Sequence, residues 1–140
     1  MPLVYFDSSA LVKLVVDEEG SDLVAALWDG CDAAMTSRPA YPEVCAALAA
    51  AARNHQMNAH GLRVAQESWE SFWFSIRPVE LTGAVEQHAG QLASVHALGG
   101  ADAVHLASAL AIDSPNLVVA VWDRRLRAGV RAAGLAVTPA

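Results

Sequence analysis

Four acidic residues stand at positions where a fold gains little from a negative charge. Two of them directly follow short apolar runs of strand-like composition, and two lie in the first turn of stretches with helical composition. Taken singly, each fits an ordinary structural role, because acids cap helices, complement helix dipoles and begin turns. Taken together they form a candidate catalytic and metal-binding set, which consists of Asp7, Glu43, Asp102 and Asp123.

The chemistry of such a set follows from its charge. Two carboxylates about 4 Å apart repel each other by roughly 4 kcal/mol at an effective dielectric constant of about 20. Four of them in one pocket therefore take up protons or bind a cation. Carboxylates without histidine or cysteine ligands favour Mg²⁺ or Mn²⁺ over Zn²⁺. Such an ion keeps water ligands that it can activate to attack a phosphodiester, so the acids predict phosphoryl-transfer chemistry.

The acids meet only if the strands before them are parallel neighbours. Leu3–Phe6 is apolar, aromatic and partly β-branched, which is typical of a strand buried on both faces, and Asp7 follows it. Residues 117–122 form the clearest strand pattern and end at Asp123. Weaker strands are predicted for Ala33–Ser37, for residues 76–81 at a sheet edge, and for 135–137. The carboxyl ends of parallel strands share one edge of a sheet, where ligands bind.

Helices are predicted between these strands. Ser8 or Ser9 is expected to cap the first helix, and Pro42 suits the first turn of the third. The stretch from Asp102 is apolar nearly all round, as expected of a central buried helix. The predicted ranges are 8–16, 21–28, 42–54, 61–75, 83–97, 102–112 and 125–133. This alternation predicts an α/β fold with a mainly parallel sheet, in one domain over residues 1–140.

Composition excludes several classes of protein. The 140 residues are 54% hydrophobic and 17% charged, which excludes disorder and supports a buried core. No apolar run reaches the roughly 18 residues of a membrane span, and no signal-peptide pattern opens the chain, so a cytoplasmic location is predicted. The net charge of −6 argues against a general nucleic-acid coat protein but is compatible with an enzyme that has a local basic strip. Cys31 and Cys45 form no CxxC pair and are predicted to be reduced.

Three segments in order resemble the signatures of one known family. They are VYFDSSALVKL at 4–14 (followed by Glu43 after a proline-containing turn), GADAVHLASAL at 100–110 and VAVWDRRL at 119–126. Their order, their spacing and the length of the chain resemble the PIN-domain family, in particular the VapC-type ribonuclease toxins of prokaryotic type II toxin–antitoxin pairs. The resemblance covers essentially the whole chain. It implies a PIN-like fold, a three-layer α/β/α sandwich with a mainly parallel central sheet, in a single PIN-like domain over residues 1–140.

The resemblance implies a Mg²⁺- or Mn²⁺-dependent endoribonuclease. Asp7, Glu43, Asp102 and Asp123 match the acidic quartet of the family, and Ser9 matches a small polar position that supports the first acid by hydrogen bonding. The fourth acid is the most variable of the quartet, and Trp122 beside it is bulkier than the family pattern leads us to expect. The resemblance also implies a homodimer and a small cognate antitoxin that wraps a groove and silences the enzyme. The aromatic cluster between Trp69 and Phe74 fits that groove, the dimer or plain helix packing.

Other features leave alternatives open. Arg124 and Arg125 either hold RNA phosphates next to the acids or form a solvated helix face. His105 follows Asp102 on one helix face, and a buried, hydrogen-bonded histidine is the favoured interpretation. No Ser–His or Cys–His pair is visible that would supply a covalent intermediate. The alternative functions are a receiver-like phosphoacceptor module, which fits poorly without an adjacent acid pair, and a catalytically silent PIN-like binding protein.

Overall fold

The computed structural model describes residues 2–140, which form one sheet of five strands and seven helices. All four strand pairings in this sheet are parallel, and the strand order is β3-β2-β1-β4-β5. The strands are β1 (Leu3–Phe6), β2 (Ala33–Ser37), β3 (Arg77–Val79), β4 (Leu117–Ala120) and β5 (Ala136–Thr138). The first strand therefore lies at the centre of the sheet, and residues 77–79 form an edge, as predicted from Pro78.

Seven helices connect and follow these strands. They are α1 (Ser8–Val15), α2 (Ser21–Gly30), α3 (Ala40–Arg53), α4 (Ala59–Ser75), α5 (Gly83–His96), α6 (Gly100–Ile112) and α7 (Arg124–Ala132). Within residues 2–140 no single helix is long and apolar enough to cross a membrane. The pair α5 and α6 meets that test of length and composition only when the two are taken together, across a bend of 116°.

The sheet divides the core into two apolar clusters. Side chains alternate along β1, so Val4 and Phe6 pack on one face while Tyr5 packs on the other. The face of Val4 and Phe6 is covered by α1, α2, α3 and α4, and the face of Tyr5 by α5, α6 and α7. The three-layer α/β/α prediction is therefore confirmed. The central helix of the second face is α6, six of whose residues are buried.

Two predicted boundaries differ in ways that concern the acids. The N-cap of α1 is Asp7 and not Ser8 or Ser9, because the Asp7 carboxylate accepts the backbone N–H of Ala10. The strand β4 ends at Ala120, so Asp123 does not follow a strand directly. Val121 is buried, and its apolar character reflects core packing beyond the last strand residue.

Smaller differences concern helix starts. The third helix begins at Ala40, so that Pro42 lies in its first turn as expected. The sixth begins at Gly100, two residues before Asp102. Both cysteines, Cys31 and Cys45, carry free thiols, in agreement with the prediction.

Candidate active site

The carboxyl edge of the sheet brings the first acid to the middle of the molecule. Phe6, the last residue of β1, is in register with Ala120, the last residue of β4. The backbone N–H of Asp7 donates to the carbonyl of Ala120 over 3.2 Å, which ties the residue after β1 to the neighbouring strand. On the other side, Thr36 Oγ1 donates to the carbonyl of Phe6 over 2.7 Å. Asp7 is thus fixed where a doubly wound sheet binds ligands.

Asp7 is a buried carboxylate that accepts hydrogen bonds from two donors. Its side chain is 3% exposed, and it accepts the N–H of Ala10 over 2.9 Å. Ser9 Oγ lies 2.8 and 2.9 Å from the two carboxylate oxygens, which is the supporting contact expected of Ser9. Burial raises the pKa of Asp7, and the nearby charge of Asp102 adds to this, against the opposing hydrogen bonds from Ala10 and Ser9.

Asp102 is the acid that interacts with all the others. It is the third residue of α6 and does not cap it, since the N-cap is Gly99 and no side chain caps this helix. Burial raises the pKa of Asp102, and the charges of Asp123 and Glu43 raise it further. It also contributes to the raised pKa of Asp7. Asp102 therefore lies within electrostatic reach of the three other predicted acids.

Glu43 is held in its ionised form. It lies in the first turn of α3, and its side chain is 31% exposed. Burial alone would raise the pKa of Glu43, but hydrogen bonds from His105 and Ser8 and the electrostatic attraction of His105 outweigh it, so the pKa is lowered. The contact from His105 Nε2 to Glu43 Oε1 measures 3.1 Å.

Asp123 lies at the exposed rim of the site. Its carboxylate accepts the backbone N–H of Leu126 over 2.9 Å, which makes it the N-cap of α7. Its charge nevertheless acts on Asp102. The structure thus gathers the four predicted acids, with Asp7 deepest and Asp123 most accessible.

A histidine that the sequence did not assign to the site lies directly behind the acids. His105 is 3% exposed, as predicted for a buried histidine, and its two ring nitrogens contact four side chains, those of Tyr5, Ser8, Ser37 and Glu43. Nδ1 is 2.7 Å from the Tyr5 hydroxyl, and Nε2 is 3.0 Å from Ser8 Oγ in addition to Glu43. The sequence signal for this arrangement was the spacing of three residues that places His105 on one helix face with Asp102.

Ser8 and His105 are in contact, although no Ser–His pair was visible in the sequence. The two residues are separated by 97 positions, so spacing in the sequence carries no sign of them. The arrangement nevertheless differs from a nucleophile and its base, because Ser8 and Glu43 share the same nitrogen, Nε2. An ionised Glu43 only accepts, so Nε2 must carry a proton and cannot take one from Ser8.

The acids present the donors that a hard divalent cation prefers. Within residues 2–140 no three His, Cys, Asp or Glu side chains are spaced so as to hold one ion directly. Mg²⁺ in proteins usually contacts only one or two carboxylates and keeps several waters, so a looser cluster suffices. Carboxylates whose pKa values are raised by one another gain from a nearby cation. The donor set thus fits hydrated Mg²⁺ or Mn²⁺.

Trp122 has a packing role that the sequence did not reveal. The indole is half-buried, and a Cβ placed on Gly20 would lie 2.9 Å from its Cζ2 atom, which shows how closely the turn after α1 covers it. The Lys13 ammonium lies 5.0 Å from the centre of the indole and forms an ion pair with Glu18 over 3.1 Å. The bulk of Trp122 therefore fills the space between α1 and the loop that carries Asp123.

The basic residues after Asp123 are accessible. Arg124 and Arg125 occupy the first turn of α7, and both side chains are exposed. Arg127, by contrast, donates to the backbone carbonyls of Val121 and Pro139 and so serves the fold. Of these arginines, the first two are therefore exposed directly after Asp123 in the chain.

The aromatic cluster of α4 has residues that pack against other helices and one residue that is exposed to solvent. Trp69 is 1% exposed and stacks on Tyr41 with 6.1 Å between ring centres, so helix packing accounts for it. Phe72 meets Trp28 edge to face at 5.0 Å, whereas Phe74 is 93% exposed.

A cleft of about 410 Å³ lies away from the acids, between α1, α2 and α4. Its lining includes apolar side chains of all three helices and a set of exposed aspartates. They are Leu14, Val16, Trp28 and Phe72 with Asp17, Asp22 and Asp29.

Comparison with known proteins assigns the family. The sequence model of the PIN domain matches residues 4–128. The chain belongs to the PIN-domain family. It is 68% identical over 140 residues to two Mycobacterium tuberculosis proteins, Ribonuclease VapC45 of strain CDC 1551 / Oshkosh and Ribonuclease VapC49 of strain ATCC 25618 / H37Rv, and the match covers 100% of this chain and 97% of each relative. The resemblance to VapC-type PIN domains is therefore confirmed.

Solved PIN-domain structures share the fold. FitAcB of Neisseria gonorrhoeae superimposes with a TM-score of 0.72 at 20% identity, covering 96% of this chain and 95% of the other. VapC20 of M. tuberculosis, a sarcin-ricin loop cleaving toxin, gives 0.68 at 17% identity, with 94% and 95% covered. VapBC2 of Rickettsia felis, bound to a DNA fragment from its promoter, gives 0.65 at 10% identity, with 96% of both chains covered. Membership of this family leaves the receiver-like alternative without support.

Proposed function

We propose that residues 1–140 act as one PIN-like domain, a Mg²⁺- or Mn²⁺-dependent endoribonuclease that is the toxin of a toxin–antitoxin pair in the cytoplasm. The observation that carries the proposal is electrostatic: the charges of Asp7, Glu43 and Asp123 all couple to Asp102 at the carboxyl edge of the sheet. Such a cluster is costly unless a cation offsets it. The 68% identity to two ribonucleases supports RNA as the substrate.

Each acid has a role set by its surroundings. Asp7 and Asp102, whose pKa values are raised, and the ionised Glu43 would face the ion from the buried side, and Asp123 from the rim. One or two of these carboxylates would contact the ion directly, and the others would bind its water ligands. Bound there, the ion would polarise the scissile phosphate and lower the pKa of water for in-line attack. Ser9 keeps the Asp7 carboxylate oriented through its short hydrogen bonds. No step needs a covalent intermediate on this chain.

Arg124 and Arg125 would bind the RNA backbone. They lie exposed in the turn after Asp123, so phosphates they hold are next to the acids. Phosphate contacts position a nucleic acid without reading its sequence. They also supply local positive charge in a chain whose net charge is −6.

A cognate antitoxin would bind the cleft between α1, α2 and α4. The lining offers apolar surface from Trp28 and Phe72 for a hydrophobic segment, and the aspartates at its rim favour basic flanking residues. VapBC2, which shares the fold, is itself a two-protein assembly, and this supports a partner of the same kind.

We further propose that the toxin is a homodimer, as the family resemblance implies. Val95 of α5 and Phe74 of α4 are 74% and 93% exposed, and each is available for an apolar contact with a second copy of the chain. Light scattering after size exclusion should give twice the mass of the 14.7 kDa chain. A monomer at the concentrations used for activity would refute the dimer.

Cleavage of total cellular RNA by the purified protein tests the activity. We expect discrete fragments with Mg²⁺ or Mn²⁺, none with excess EDTA, and none with Asp102→Asn. Asp113→Asn is the matched control, because this exposed residue at the other end of α6 is left-handed with φ of 50°, a conformation that asparagine also accepts. Cleavage that survives EDTA and Asp102→Asn would refute the metal-dependent mechanism. Metal binding without cleavage would favour the catalytically silent alternative.

A further inference from the structure

The polar groups behind the acids form one connected chain that begins in the buried core and ends at the half-buried Glu43. Tyr5 has no exposed surface, His105 is 3% exposed, and the Tyr5 hydroxyl contacts Nδ1 over 2.7 Å. At the other ring nitrogen, Nε2 faces both Ser8 Oγ and Glu43 Oε1. The chain thus runs from the core of the sheet to the carboxylate of Glu43, and each link joins residues of different elements.

The direction of these hydrogen bonds follows from their chemistry. An ionised Glu43 carries no proton, so Nε2 must donate to it. In the neutral ring, Nδ1 then accepts the proton of the Tyr5 hydroxyl; in the charged ring, Nδ1 donates to the hydroxyl oxygen instead. Nε2 donates to Glu43 in both states. Burial, which raises the pKa of Tyr5, keeps the phenol protonated.

The edge-on packing of the two rings restricts the imidazole further. Tyr5 and His105 meet at 80° with 5.7 Å between ring centres, and Ser37 Oγ lies 3.5 Å from Nδ1. The imidazole therefore has a single orientation in which Nε2 points at Glu43. Among the acids of the site, Glu43 alone has its carboxylate bonded to this ring.

We propose that His105 is a positioning residue of the metal site: held by Tyr5, it donates from Nε2 to Glu43 and fixes that carboxylate as a ligand for the divalent cation. This inference rests on the proposed function, since it takes Glu43 as a metal ligand. Hydrogen bonds of this kind to metal-binding carboxylates orient the ligand and limit its motion. His105 itself does not contact the cation.

Metal affinity, measured by calorimetry with Mn²⁺ alone, tests the proposal separately from cleavage. His105→Leu should weaken Mn²⁺ binding about 10- to 100-fold, the usual cost of losing an outer partner of a ligand. His105→Gln, whose amide N–H takes the place of Nε2–H, should restore affinity to within about threefold. His88→Gln, on the exposed face of α5, is the matched control and should change nothing.

A double variant shows whether His105 acts through Glu43. Glu43→Gln should weaken binding, and His105→Leu added to it should cause no further loss. Tyr5→Phe, which keeps the shape of the core, should weaken Mn²⁺ binding less than His105→Leu does.

The outcomes separate this inference from the function. Unchanged Mn²⁺ affinity in His105→Leu, or an equal loss in the Glu43→Gln background, overturns the positioning role while the nuclease stands. Absence of any Mn²⁺ binding by the wild-type protein overturns the metal site itself, and this inference with it. If His105→Leu does not fold, the Mn²⁺ affinities of His105→Gln and Tyr5→Phe test the positioning role instead. A loss of Mn²⁺ affinity in His105→Gln as large as that in Glu43→Gln then overturns the role.

Discussion

Asp7 combines two roles at the level of a single residue, because it caps α1 and is a buried acid at the site. Asp7→Asn keeps a side-chain oxygen for the Ala10 N–H and removes the charge whose burial is unfavourable. We expect this variant to be at least as stable as the wild type, while Asp7→Ala should be about 1 kcal/mol less stable than Asp7→Asn. Both should lose RNA cleavage. Urea unfolding at pH 7 measures the free energy of unfolding of the wild type and of both variants. Equal stability of Asp7→Asn and Asp7→Ala would contradict the capping role.

Asp102 should make the free energy of unfolding depend on pH. Its folded pKa is raised above the ordinary 3.8, so the contribution of its protonated form is fully present below pH 3.8 and is lost as the pH rises through the folded pKa. Asp102→Asn does not titrate. The unfolding free energy of the wild type minus that of this variant should therefore decrease with rising pH across this range, in metal-free buffer. A difference that grows with pH would contradict the raised pKa.

After burial, the charge of Asp123 contributes most to the raised pKa of Asp102. Asp123→Asn keeps a capping oxygen for the Leu126 N–H and removes that charge. We expect the pKa of Asp102 to fall toward 3.8, measured by NMR titration of its carboxyl carbon. Asp113→Asn, at the far end of the same helix, should leave it unchanged. A constant pKa in Asp123→Asn would show that the two acids are not coupled.

At the level of elements, the turn between α1 and α2 is fixed by glycine. Gly20 has φ of +92°, and a Cβ there would lie 2.9 Å from Trp122. Gly134 has φ of +86° with open space around it. Gly134→Ala should destabilise the fold only by the strain of a left-handed backbone, about 1 kcal/mol, and Gly20→Ala should destabilise it more because the indole must move as well. Urea unfolding of both variants measures this destabilisation. Equal losses of stability in Gly20→Ala and Gly134→Ala would mean that the Trp122 indole moves at no cost.

The first turn of α7 is expected to bind RNA. Arg124→Gln with Arg125→Gln should weaken binding of single-stranded RNA to an Asp102→Asn protein and reduce its dependence on salt. For each RNA phosphate that these arginines neutralise, the substitutions should lower the slope of log K against log salt by about 0.7. Arg63→Gln, an exposed arginine on α4, is the control. An unchanged slope in the double variant would assign Arg124 and Arg125 to a solvated helix face.

For the whole molecule, a cation at the four acids should stabilise the fold. A ligand that binds only the folded state adds about 2.7 kcal/mol at 100 times its Kd, which raises Tm by roughly 5–10 °C in a chain of this size. We expect Mg²⁺ or Mn²⁺ to raise Tm of the wild type and to have little effect on Asp102→Asn. Equal shifts in both proteins would indicate binding elsewhere.

Much of this architecture was readable in the sequence. The apolar run at residues 3–6 and the alanine-rich and apolar stretches predicted the central strand, the helices and the layered fold, because their patterns are local and repeat with the period of each element. The four acids were singled out because Asp7 and Asp123 follow apolar runs and Glu43 and Asp102 lie in the first turns of predicted helices. The three family segments then predicted the PIN-domain family, which comparison confirmed.

What only the tertiary structure decided is how the side chains pair. The bonds from His105 to Ser8 and Glu43 join residues 97 and 62 positions apart, and the packing of Trp122 on Gly20 joins two loops. Such contacts depend on strand register and on how α3 and α6 lie over the sheet, which no local pattern records. The types of residue and their order along the chain thus determined the fold and the acids, while the distances between elements decided which nitrogen faces which carboxylate.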